Sequence, residues 1–438
     1  MSLRTSAQLE EKFAHNFELL SCGLYYKNIG LAVSGGVDSV ALLMLMHKIA
    51  LYKNINLTVF TVNHNLRPEA VDEVKHVELL CRKLNIKCVS LSWEHSGNLS
   101  NLSARAREAR YDLITKSCKE LDILTLLTAH HADDSIETFL LKSERESGVM
   151  ALSSGNLYFH NNIRILRPLF DIKKIQLIDY LQEQGINWLE DSSNESNKYS
   201  RNIIRRKIAI SNADYKDGIS HKLAETNIQA VDLNEKLIQA ISFAAKIYKY
   251  GFAVIDIKIF ISFEYEVQLR LIIFILNVVS GNIKSCRAST ISPVIAAIIR
   301  DEFSIKTMHG CVVKRVGAYL LIYREFGKNP PKQVIAGCDT VWDARFCIST
   351  AVPPGHIAYI TNLTLNDYRE IKEKLNLEIL KKLSFNHYKA ILFTLPAIKV
   401  LEKLVSLPHI SYYEGWVSEK NIDILYYPSF TSRFIHFY

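Results

Sequence analysis

Eight cysteines are spread over 438 residues, and no two stand as Cys-x-x-Cys. Zinc ribbons and dithiol redox centres are therefore not indicated. Long apolar runs are missing too. The greasiest stretch, Leu271–Val279, is broken by Asn277 and falls far short of the ~18–20 residues that cross a bilayer. The segment Met1–His15 carries both charges and no apolar centre, so no signal peptide is expected. Neither a solenoid repeat nor a low-complexity tract is found. Charge of one sign is in modest excess: 53 Lys and Arg against 45 Asp and Glu leave +8. That balance is compatible with a polyanionic partner without requiring one. At 48% hydrophobic residues the chain is not disordered. The expectation is a soluble, reduced, cytoplasmic protein of about three domains at ~150 residues each.

What is present begins with a repeated pattern. Apolar runs at Ile29–Val33, Leu57–Val62, Cys88–Trp93 and Leu124–Ala129 read as buried strands. Helical spacing fills the gaps at Val40–Leu51, Glu69–Leu84 and Ser103–Leu121. Strand and helix in alternation predict βαβ units and a parallel, Rossmann-like sheet. Ligands of such sheets sit at the carboxyl ends of the strands. From about residue 212 the spacing turns helical, through Ala224–Tyr250 and Phe263–Val279. Strand-like pieces return at Cys311–Tyr323, and a third region rich in Tyr, Leu and Ile follows the Gly327–Pro331 loop. The expected division is 1–215 for a catalytic α/β domain, 216–331 for a helical domain and 332–438 for a smaller α+β domain.

The sharpest motif is Ser34-Gly35-Gly36-Val37-Asp38-Ser39, between the first strand and its helix. Two glycines let the backbone turn tightly and bring N–H groups close to a ligand. A helix start favours phosphate by ~0.3–1 kcal/mol. No Lys follows the glycines, so the turn is not a Walker loop. A bare carboxylate beside phosphates would be repelled, which makes Asp38 a candidate Mg²⁺ ligand. The plainer reading of Asp38 is a helix cap.

Ser-Gly-Gly-x-Asp-Ser is the signature that this sequence shares with the PP-loop ATP pyrophosphatases, which it resembles. Further motifs narrow the likeness: Val62–Arg67, Ala106–Tyr111, His130–Thr138, Arg167-Pro168-Leu169, Glu190–Asn194 and Arg201–Arg205. In that order they resemble the tRNA(Ile)-lysidine synthetase family, over roughly residues 28–207. Downstream there is a faint echo in Leu395-Pro396-Ala397 and Leu407-Pro408. The resemblance implies that ATP activates the C2 oxygen of the first anticodon cytidine in an isoleucine tRNA with anticodon CAU. The ε-amine of L-lysine then displaces AMP to form lysidine. It implies ATP binding by Ser34 to Ser39, Mg²⁺ on Asp38, and catalytic roles for Asp38, Arg110, Asp134 and Glu137. Lysine would bind at Asp134 and Glu137, and tRNA at Arg201 and Arg205. Oligomeric state stays open, a homodimer included.

Each of these residues also has a structural reading. His130 and His131 are neighbours that would face different ways, which disfavours a zinc site. Asp134 and Glu137 share a helix face at i, i+3 and suit an ammonium, although acids at a helix start also complement its dipole. Arg107 and Arg110 share a face of the third of these helices, where Arg110 could hold an α-phosphate or pair with Glu108 or Asp112. Arg105 is read as surface. Freeing a lysine amine at pH 7 costs about 4.6 kcal/mol, and a carboxylate of pKa ~4 is a feeble base for it. Asp134 and Glu137 therefore suit binding the ammonium better than deprotonating it. One departure from the family is Arg145-Glu146-Ser147-Gly148, where an Arg-Gly-Ser-Gly loop is usual. Two other readings stay open: a tRNA-thiolating PP-loop enzyme, and a non-catalytic RNA-binding protein with a degenerate nucleotide fold.

Overall fold

The computed structural model describes residues 2–21, 27–66, 70–94, 102–143, 155–161, 163–189, 213–282, 286–327, 332–335, 340–350, 357–414 and 422–426. Two compact units emerge, Met1–Asp232 and Leu233–Phe434.

In the first unit, strands β1 (Asn28–Ala32), β2 (Asn56–Asn63), β3 (Lys87–Ser92), β4 (Thr125–Leu127), β5 (Leu157–His160) and β6 (Ile163–Leu166) form one sheet. Its order is β3-β2-β1-β4-β6-β5. All neighbours run parallel except β5, which pairs antiparallel with β6 at the edge. Helices α1 (Ser2–Ser21), α2 (Val37–Lys53), α3 (Ala70–Lys83), α4 (Leu102–Glu120), α5 (Ala132–Ser143) and α6 (Lys174–Glu183) accompany it. The alternating pattern expected from the sequence is thus present, with bounds shifted by one to three residues.

α2 is buried nearly all round, from Val40 through Leu45 and Met46 to Ala50. It packs with Leu31 and Val33 of the first strand region and with Leu177, Tyr180 and Leu181 of α6. A helix so enclosed fixes where its N-terminus points. The strand order reverses between β1 and β4, and such a switch point leaves a crevice at the carboxyl ends. The loops after β1, β2 and β4 all open there.

In the second unit, the region expected to be a helical domain also carries a five-stranded antiparallel sheet, part of it at Cys311–Tyr323, where strand-like pieces are expected. Strands β7 (Ala245–Tyr248), β8 (Phe252–Asp256), β9 (Ile305–Met308), β10 (Cys311–Val316) and β11 (Tyr319–Arg324) are ordered β7-β8-β11-β10-β9. The helical spacing expected to run to Tyr250 stops at Ala244. Gly251, at φ +71°, turns the chain so that β8 folds back on β7, and Gly251 N–H donates to Tyr248 O at 3.0 Å. Left-handed φ is a conformation glycine adopts without a Cβ penalty. Two further antiparallel sheets and short helices follow within residues 333–426, matching the α+β character expected of the C-terminal region.

A buried charge cluster holds this unit together. Arg345 is fully buried; its Nε donates to Asp343 Oδ2 at 2.7 Å and its Nη2 to Thr394 O at 2.8 Å. Arg324 donates to Asp343 Oδ1 at 3.0 Å and to Ser280 O at 2.6 Å. Asp343→Ala would leave two guanidiniums without their shared counter-charge. The expected loss is about 3–5 kcal/mol of unfolding free energy, read from urea denaturation followed by circular dichroism. A loss below 1 kcal/mol would show that the cluster is not a keystone.

Candidate active site

The loop Ser34–Gly36 leaves β1 and delivers the chain to the first turn of α2, with Gly36 as N-cap. Gly35 sits at φ +88°, the second position where glycine's freedom is used. Its carbonyl accepts from Leu189 N–H at 3.0 Å, which ties the loop to the segment just before Glu190. Ser39 Oγ donates to Gly36 O at 2.9 Å and accepts from Ser34 N–H at 3.1 Å. The turn is therefore stapled shut from inside. Its first-turn N–H groups lack intrahelical acceptors and face the crevice as an anion site.

A cavity of about 370 Å³ opens at this point. Ser34 and Gly36 line it from the first loop, Asp38 and Ser39 from the first turn of α2, and His64 from just past β2. Arg107, Arg110 and Tyr111 contribute from α4, while Thr128, His130 and Asp134 come from the end of β4 and the start of α5. One wall is cationic and another is anionic. Such polarity suits a substrate set that carries both phosphate and amine.

The anionic side is held by His131, whose side chain is 5% exposed. Its Nε2 lies 3.5 Å from Asp38 Oδ2 and 3.5 Å from Asp134 Oδ2, and its Nδ1 lies 3.4 Å from Asp133 Oδ2. Burial by itself would lower the pKa of this imidazole. Contacts with Asp133 and Asp38, and the charges of Asp134 and Asp38, override it and push the value up to about 10. His131 is thus an imidazolium at neutral pH and cannot serve there as a general base. Lys174 Nζ adds charge 3.9 Å from Asp38. Asp133 turns outward from the cavity and accepts from Lys174 N–H at 2.8 Å, joining the starts of α5 and α6. Contact with His131 holds its carboxyl below the usual range.

On the cationic side, Arg107 and Arg110 flank the Tyr111 ring at 5.4 and 5.7 Å. Asp112, a neighbour of Arg110 in sequence and an alternative partner for it, instead engages His160 at 2.8 Å and Asn161 at 2.9 Å. His64 stands near Arg110; burial, then that positive charge, lowers its pKa to about 4.

A PP-loop domain model matches residues 6–211. A tRNA(Ile)-lysidine synthase of Rickettsia akari (strain Hartford) is 45% identical over 438 aligned residues, spanning 98% of this chain and 100% of that protein. One from Rickettsia bellii (strain OSU 85-389) is 46% identical over 433 residues, at the same coverages. The chain belongs to the tRNA(Ile)-lysidine synthase family. This likeness runs through the second unit, well past the residues 28–207 that carry the family's motifs.

Within this lysidine synthase family member, the cavity gathers Ser34, Gly36, Asp38, Ser39, Arg110 and Asp134. Gly35 and Val37 lie behind the lining, Val37 being buried against the core. Glu137 is one turn beyond Asp134, 6% exposed and outside the lining. Arg201, Arg205 and Glu146 lie outside the described residues. Among the described residues no group of three or more His, Cys, Asp or Glu could hold a metal ion by itself. The Asp38 carboxylate nevertheless keeps one oxygen, Oδ1, buried and without a hydrogen-bond partner. In the sequence, His131 counts only as half of a disfavoured zinc pair, His64 is named only within the Val62–Arg67 motif, and Lys174 is not singled out. The His-His pair and the Asn63-His64 step after β2 signalled the two histidines, and nothing local signalled Lys174.

His64 yields a test of this electrostatic picture. Its folded-state pKa lies below the ordinary 6.5. As pH falls from about 6.5 toward 4, the unfolded chain binds a proton that the folded chain refuses, and stability drops across that window. His64→Gln is expected to lessen the fall in urea midpoint between pH 7 and about pH 4.5, relative to wild type. Equal falls in both proteins would place the imidazole in a more solvated setting.

Proposed function

We propose that this protein uses ATP to ligate L-lysine to C2 of the wobble cytidine in the CAU anticodon of isoleucine tRNA. The observation that carries the reading is the two-signed cavity at the sheet's switch point, in a chain of this family. The loop Ser34–Ser39 and the first turn of α2 receive the ATP phosphates through backbone N–H groups and the two hydroxyls. The cytidine C2 oxygen attacks the α-phosphorus, pyrophosphate leaves, and Arg110 offsets the negative charge that builds on the α-phosphate. The lysine ε-nitrogen then attacks C2, the C–O bond to AMP breaks, and the amine gives up a proton. Asp134 and Glu137 are assigned to the lysine ammonium, where their role is binding.

Mg²⁺ fits one feature of the site. Asp38 Oδ1 has no other partner, and this ion is commonly held by one or two carboxylates together with phosphate oxygens. Asp38 would hold it, and when bound it would supply charge neutralisation on the phosphates.

Recognition of tRNA is assigned to Arg201, Arg205 and the regions 216–331 and 332–438, in a cytoplasmic setting. The basic residues of the second unit are not equally available. Arg300 pairs with Glu302 at 3.1 Å and Arg315 pairs with Asp301, whereas Lys306 is exposed on β9. Phosphate contacts of this kind give register, and discrimination comes from bases and shape. A thiolating enzyme is disfavoured because no cysteine lines the cavity among the described residues.

The test supplies full-length protein with ATP, Mg²⁺, radiolabelled L-lysine and isoleucine tRNA bearing CAU. Labelled tRNA, AMP and pyrophosphate are expected, with initiator methionine tRNA of the same anticodon a far poorer substrate. Asp38→Ala should abolish AMP release from a folded protein. Glu137→Gln should raise the lysine KM about tenfold or more while leaving the ATP KM near its original value. Absence of label in isoleucine tRNA contradicts the reading, and an unchanged lysine KM returns Glu137 to a purely structural place.

A further inference from the structure

Arg107 faces the cavity with no carboxylate partner among the described residues. What holds it is His130, whose Nε2 lies 3.0 Å from Arg107 Nη2. A guanidinium has no acceptor, so the imidazole nitrogen must accept that hydrogen bond. His130 Nδ1 then carries the ring proton and donates it to Thr128 Oγ1 at 3.3 Å. His130 is therefore a neutral ring that steers the guanidinium without cancelling its charge. The next residue, His131, donates its backbone N–H to Asp134 Oδ2 at 3.2 Å. Two consecutive residues at the end of β4 thus set the two poles of one cavity: His130 fixes a cation, His131 an anion.

A spare, pre-aimed guanidinium suits a planar oxyanion that can take two hydrogen bonds. Among the substrates of the proposed reaction, lysine brings such a group on the same molecule as its ammonium. Extended lysine spans on the order of 7 Å from ε-nitrogen to carboxylate, six bonds of ordinary length. Asp134 and Arg107 line the same cavity of about 370 Å³, so a molecule of that length with its ammonium at Asp134 can present its other end to Arg107. We infer that Arg107, aimed by His130, binds the α-carboxylate of lysine and so selects an amino acid over a simple diamine. This inference rests on the proposed lysine ligation. It separates Arg107 from Arg110, three residues along the same face of α4, which is assigned to the α-phosphate.

The experiment compares L-lysine with 1,5-diaminopentane, which is lysine without its carboxylate, as amine donors to isoleucine tRNA. Wild type, Arg107→Gln and Arg107→Lys are each assayed for kcat/KM with both amines, and for tRNA-dependent ATP–pyrophosphate exchange. In Arg107→Gln, lysine transfer is expected to fall about 10–100-fold and transfer of the diamine less than threefold, so that the preference collapses. Arg107→Lys, which keeps the charge, should recover part of it. A misfolded variant would lose both amines together, and so would not imitate this result. Equal losses for the two amines overturn the assignment. So does a loss of pyrophosphate exchange as large as the loss of lysine transfer, which would give Arg107 to ATP or to a tRNA phosphate. Wild type that transfers no lysine overturns the proposed function, and this inference with it.

Discussion

Three carboxylates crowd one end of the sheet, and His131 is what makes them tolerable. Without a cation between them, Asp38, Asp133 and Asp134 would repel one another and repel any phosphate bound at the start of α2. A buried imidazolium 3.4–3.5 Å from all three resolves that conflict. It also works as a spacer. Asp38 belongs to the first turn of α2, which follows β1, and Asp134 to the first turn of α5, which follows β4, so the ring couples the two edges of the switch-point crevice. Position and charge of the anionic wall are then set before any substrate arrives, which is the condition for preorganised electrostatics.

The opposite wall follows another logic. Arg107 and Arg110 meet tyrosine rings and a neutral histidine instead of carboxylates, so their charge remains available to ligands. Anions compensated on one side and cations left uncompensated on the other give a net field suited to drawing in polyphosphate. Neutral His64 and His130 add donors and acceptors to this cavity without blunting the field. The buried Arg324–Asp343–Arg345 cluster in the second unit shows the contrasting case. There, each guanidinium is spent on a carboxylate and a backbone carbonyl, and the charges serve packing.

How much of this was legible in the sequence depends on the range of the interaction. Strands, helices and the phosphate-binding turn are local, and the periodicity of Ile29–Val33 or Ser103–Leu121 and the Gly35-Gly36 pair announce them directly. Asp38 and Asp134 could be named because each sits in a short motif just past a strand end, and Arg110 because its motif Ala106–Tyr111 lies on one helix. His131 could not be given its role, since its partner Asp38 is 93 residues away and the neighbouring histidines read as a weak metal motif. Strand β7 was hidden for a different reason. Three-and-four spacing of apolar residues continues past Ala244, and only the left-handed turn at Gly251 reverses the chain. The Arg345 cluster likewise joins residues whose relation exists only in the folded unit.

The central claim is electrostatic: His131 is charged at working pH because the carboxylates around it outweigh its burial. Nitrogen-15 NMR of histidine-labelled protein, with His131→Gln used to assign the resonance, measures this directly. The account expects imidazolium shifts for His131 that persist from pH 6 through 8.5, with the proton lost only near pH 10. A ring that titrates near 6.5, or is already neutral at pH 7, would contradict it.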